Sequence, residues 1–105
     1  MFKLISAKMA ARKSIKKTLE KEIPLINEAI EKAIANGKAE ANYEGEISRP
    51  TVKLLTKAGY VVENWDIWNA TTKILWYEQY NKISESEAEV ETLAKEDGVE
   101  VTKIQ

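Results

Sequence analysis

Three groups of residues in this chain of 105 have types and spacings suited to chemistry. The first is a run of cations, Lys8, Arg12, Lys13, Lys16 and Lys17. They sit along one end of a predicted helix. Two or three such charges beside an aromatic platform suffice to hold a small anionic ligand such as a nucleotide messenger. The second group is Glu63-Asn64-Trp65-Asp66-Ile67-Trp68-Asn69, which sets two tryptophans among polar residues. Trp65 and Trp68 at a hairpin tip would stack on a base or fill a partner's groove, and Asn64 and Asn69 could meet a base edge. The plainer readings are a solvated basic face, rings that cover the core, and ordinary turn asparagines. The third group, Glu85, Glu87, Glu89 and Glu91, resembles the paired carboxylates of hydrolases only in number. It lacks the apolar company of a catalytic carboxylate, which makes it acidic surface. The ligand-binding candidates are therefore Lys8, Arg12, Lys16, Trp65 and Trp68.

What is missing narrows the chemistry further. The chain has no histidine and no cysteine, which removes thiol nucleophiles, imidazole bases, and thiolate or imidazole metal ligands. Its four glycines, at 37, 45, 59 and 98, are isolated and form no phosphate-cradling loop. No catalytic residue, metal site or cofactor is expected, and the chain reads as non-enzymatic.

The elements that must position these groups begin with one long amphipathic helix. Ile15, Leu19, Ile23, Ile26, Ile30 and Ala33/Ile34 lie on a single stripe at helical spacing. Ser6 is the expected N-cap, and Asn36-Gly37 the C-cap. Pro24 keeps the stripe in phase on both sides, so one kinked helix is favoured over two. From Ala7 to Asn36 such a helix spans roughly 45 Å, so part of it should project or pack on another copy. Ala39, Ala41 and Tyr43 then alternate with polar residues as a strand. Ser48 caps a second helix with Pro50 in its first turn and Val52, Leu55 and Ala58 on its apolar face, and Gly59 ends it. Tyr60 and Val62 open a second strand, a loop covers Glu63 to Ala70, and a third strand runs from Thr71 to Tyr77 with Thr72, Ile74 and Trp76 inward. Strands two and three should form a hairpin. A short acidic helix from Ser84 or Ser86 to near Gly98 and a terminal alternating segment, Val99 to Gln105, complete the pattern. The expected class is α+β: a long N-terminal helix packed on a three-stranded antiparallel sheet, with a short second helix and an acidic C-terminal helix. Composition divides the chain into a core at 1–83 and an acidic extension at 84–105.

Charge is close to balanced overall, at −1, but unevenly placed. Residues 1–21 carry seven Lys/Arg against Glu20, and residues 84–100 carry seven Asp/Glu against Lys95. Cations at a helix N-terminus oppose its dipole, so the basic end has a local cost and invites another use. Nucleic acid is disfavoured by the pI of 5.6 and the acidic tail. No apolar run approaches the ~20 residues that cross a bilayer, and nothing at the start has a signal-peptide core; no membrane association and a cytoplasmic location are expected. A small core and a third of the chain in one helix favour a homo-oligomer.

One sequence pattern extends this reading. Ile30, Ala33, Gly37, Lys57, Ala58, Gly59, Tyr60, Val62, Thr72, Lys73, Ile74 and Trp76 order a long helix ending in Gly, a strand, a short helix, a Gly-Tyr strand and a Thr-Lys-Ile-x-Trp strand. Over about residues 5–77 this resembles small proteins encoded by tailed bacteriophages. The resemblance rests on core and turn residues and implies no catalytic residue. It implies a phage setting, and hence a binding protein acting in the host, neutralising a defence by sequestering a nucleotide signal or a host protein. The alternative is a minor virion or assembly protein, its copies joined through the complementary basic and acidic ends. The chain departs from the pattern after Trp76.

Overall fold

The computed structural model describes residues 3–66 and 70–96. It is α+β. Helix α1 runs unbroken from Ala7 to Ala35. Its first orphan donors are met at Ser6, whose hydroxyl accepts from the Met9 N–H at 3.2 Å. Pro24 lies inside it, with Pro24 and Glu20 both exposed, so the Glu20 carbonyl that loses its partner sits on the wet side. At the other end Gly37 takes φ +68°. The Gly37 N–H donates to the Ile34 carbonyl and the Lys38 N–H to the Ala33 carbonyl, both at 2.9 Å, a complete Schellman closure.

Only part of the α1 stripe is buried. Every residue from Ala7 to Lys17 is exposed, Leu19 and Ile23 are half-buried, and Ile26, Ile30 and Ala33 are buried. Ile15 and Ile34, on the expected stripe, remain open to solvent. The helix outruns the surface available to cover it, and its first turns project as an arm.

Strand β1, Glu40–Glu44, follows, then helix α2, Arg49–Lys57, and strands β2, Val61–Asp66, and β3, Thr71–Leu75. The sheet order is β1-β3-β2, antiparallel throughout. Register places Ala41, Ile74 and Val62 in one row and Tyr43, Thr72 and Asn64 in the next. Ile74 is completely buried, and α1 packs on β1, α2 on β2, and the helices on each other. The hydroxyl of buried Thr72 donates to the Gly45 carbonyl at 2.8 Å. The opposite face carries Glu40, Asn42, Glu44 and Glu63 around Lys73, which pairs with Glu40 at 3.6 Å; it is a solvated face.

Two sequence expectations need correction here. The loop expected over Glu63 to Ala70 begins later, because β2 continues to Asp66. Asn64 pairs with Thr72 and Asp66 with Thr71, so Trp65 is the extra residue of a β-bulge. The third strand stops at Leu75, and Trp76, expected inward on that strand, is half-buried and serves as N-cap residue of a further helix, α3, Tyr77–Glu85. The acidic helix α4, Glu87–Glu96, follows after Ser86, whose hydroxyl accepts from the Glu89 N–H at 3.4 Å. The chain separates into two compact units, 1–75 and 76–105. Trp68 and the terminal segment from Val99 lie outside the described residues.

Candidate binding surface

Helix α2 is placed by an interaction that crosses 26 residues of sequence. The Glu22 carboxylate of α1 accepts from the Ser48 N–H at 3.2 and 3.3 Å, from the Ser48 hydroxyl at 2.8 Å and from the Thr51 hydroxyl at 2.6 Å. Ser48 is the N-cap residue but makes no side-chain cap bond of its own. Glu22 therefore does from another helix what the third residue of a capping box does locally, and it places negative charge at the positive end of the α2 dipole. Gly59, at φ +100°, closes the other end: its N–H donates to the Thr56 carbonyl and the Tyr60 N–H to the Leu55 carbonyl, each at 3.0 Å.

With both ends fixed, α2 buries Thr51 and Leu55 and turns its other side outward. Beside it lies an open, mainly apolar hollow of 970 Å³, lined by Leu19 of α1 and by Pro50, Val52 and Leu54 of α2. Arg49, Lys53 and Lys57 of α2 share its lining; at steps of four they form one line of charge. The three candidate cations of α1 continue it. Lys8, Arg12 and Lys16 precede Leu19 by eleven, seven and three residues, which sets them on the same helical face. All six cations are exposed, and none makes an ion pair with a carboxylate among the described residues. The basic arm thus runs toward an apolar hollow that carries its own cations.

A second groove, of 490 Å³, separates α1 from the edge of β1, with Leu25, Ala29 and Tyr43 in its lining. Its charged residues, Glu28, Lys32, Lys38, Glu40 and Glu44, carry both signs, so it lacks the single-signed character of the α2 hollow. No group of three or more metal-ligating side chains occurs among the described residues. No helix among them is long and apolar enough to cross a membrane.

Of the sequence candidates, Lys8, Arg12 and Lys16 lie along one face of the projecting arm. Trp65 has its backbone in the β2 bulge, and Trp68 falls outside the described residues. Arg49, Lys53 and Lys57 were not singled out by sequence reasoning. Their spacing of four on a short helix was the available signal, beside the apolar spacing of Val52, Leu55 and Ala58 that located the helix. No family model, curated protein or solved structure matches the chain.

Proposed function

We propose that the protein is a non-enzymatic binding module, phage-encoded and acting in the host cytoplasm, that captures an acidic amphipathic segment of a protein. The observation that carries this is the α2 hollow: Leu19, Pro50, Val52 and Leu54 beside Arg49, Lys53 and Lys57, with Lys8, Arg12 and Lys16 leading up to it. Apolar surface next to a line of uncompensated cations suits a helix that presents aliphatic side chains between carboxylates. It suits a nucleotide less well, because among the described residues the hollow is lined by no aromatic ring for a base and by Thr56 alone as a neutral polar side chain. Capture of a protein segment, rather than of a nucleotide signal, is thus the favoured form of the binding reading. An assembly role is the second reading, favoured by the basic 1–21 and acidic 84–100 segments on one chain.

The test uses a synthetic acidic amphipathic helix as probe, with Leu at i, i+3, i+4 and i+7 and Glu at most other positions. Fluorescence anisotropy should show binding to the intact protein that weakens with salt. The variant R49E/K53E/K57E should lose about tenfold or more in affinity, as expected when a complementary field is reversed. A wild-type protein that ignores the peptide, or a reversed variant that binds it equally well, contradicts the proposal.

A further inference from the structure

We infer that the segment seated in the α2 hollow is helix α4 of a second copy of this chain; the inference rests on the reading just given and names its partner. The first argument comes from the α3–α4 unit itself. Among its described residues none is buried, although it carries Tyr77, Tyr80, Ile83, Val90 and Leu93, all between 39% and 50% exposed. Helices this short are marginal on their own and are held by packing of an apolar face. This pair has the faces without a core of its own.

The second argument is chemical complementarity. On α4, Val90 and Leu93 lie three apart on one line, with Glu87 and Glu91 to one side and Glu89 and Glu96 to the other. That is the pattern the hollow asks for: aliphatic groups to meet Leu19, Val52 and Leu54, and carboxylates on both flanks to meet Arg49, Lys53, Lys57 and the Lys8-Arg12-Lys16 line. Leu54 is itself 46% exposed. Every copy carries both halves, so a second copy is always present at matching concentration. Hollow and α4 are different surfaces, so the contact is heterologous. It closes when two copies exchange α4 reciprocally or when several form a ring.

Sedimentation equilibrium of the full chain tests this. The wild-type protein should self-associate with concentration, and the association should weaken about tenfold or more between about 0.05 M and about 0.5 M salt, where screening shortens to about 4 Å. The basic-side variant R49E/K53E/K57E and the acidic-side variant E87K/E89K/E91K should each be monomeric alone. Mixed in equal amounts they should associate, because each reversed surface then meets its opposite. Circular dichroism checks that both are folded, and the milder single reversals K53E and E91K should show the same pattern with smaller loss. A monomeric wild type, variants that associate as well as wild type, or folded variants whose mixture stays monomeric would overturn the inference. The peptide assay separates the two levels. A monomeric protein that still binds the acidic peptide loses only the second copy as partner, whereas one that does neither loses the binding reading as well.

Discussion

Replacing Glu22 by Ala removes the carboxylate that holds the start of α2 to α1, and its cost can be worked from the contacts. Three donors converge on that carboxylate, and one belongs to Thr51, which is 1% exposed. A hydrogen bond to a charged group contributes about 1.5–3 kcal/mol net, but three donors sharing one acceptor do not add fully. Two features soften the loss. The Ser48 and Thr51 hydroxyls remain 3.1 Å apart and can satisfy each other. Ser48, once released, can turn to the N–H groups of α2 as an ordinary N-cap, which recovers about 1 kcal/mol. The expected net destabilisation is about 2–3 kcal/mol, or on the order of 10–20 °C in Tm for a domain of this size. Glu22→Gln, which keeps an acceptor oxygen, should cost about half as much. Urea denaturation of the three proteins measures this. A Glu22→Ala protein within about 0.5 kcal/mol of wild type, the range of an ordinary surface change, would refute the assignment of Glu22 as the cap of α2. A double-mutant cycle with Thr51→Val should give a coupling above about 0.5 kcal/mol.

Further outcomes follow from the same contacts. Ile74→Ala, at the fully buried centre of β3, should cost about 2–4 kcal/mol in the same denaturation assay. Gly37→Ala should cost about 1 kcal/mol through backbone strain alone, since φ is +68° and an added Cβ would meet nothing within 4 Å. Hydrogen exchange in dilute solution should be fast for amides of residues 7–17 and slow for those of residues 26–33, because only the second stretch of α1 is covered; equal protection along the helix would contradict the projecting arm.

Much of the fold could be read locally. Asn36-Gly37 and Ala58-Gly59 announced helix ends because a residue with positive φ completes a Schellman closure, and the alternation of Ala39, Ala41 and Tyr43 gave the buried side of β1. Pro24 was readable as lying inside one helix because Ile23 and Ile26 keep phase across it. What escaped was set at long range. Periodicity says that Ile15 and Ile34 share a face with Ile26, but not how far the covering sheet extends. The end of β2 at Asp66 is set by pairing with β3, which draws Asn64 and Asp66 into the ladder and leaves Trp65 as the bulge. Helix α3 is hidden in the sequence although Tyr77, Tyr80 and Ile83 recur at steps of three and Glu78 pairs with Lys82 at 3.3 Å, because the alternation of Thr72, Ile74 and Trp76 carries the strand pattern past Leu75. The candidate surface was half legible. The cations of α1 stood out as a run, whereas Arg49, Lys53 and Lys57 gained meaning only once Leu19 was seen beside α2. The Glu22 tether had no local signature at all.

The most direct test of the binding surface is photo-cross-linking from position 54, with benzoylphenylalanine in place of Leu54 in the full chain and a mixture of ¹⁴N- and ¹⁵N-labelled copies. The account predicts cross-linked peptides that join position 54 of one label to residues 87–96 of the other, and their loss in E87K/E89K/E91K. Links confined to copies of one label, or links that fall outside α4, would contradict it.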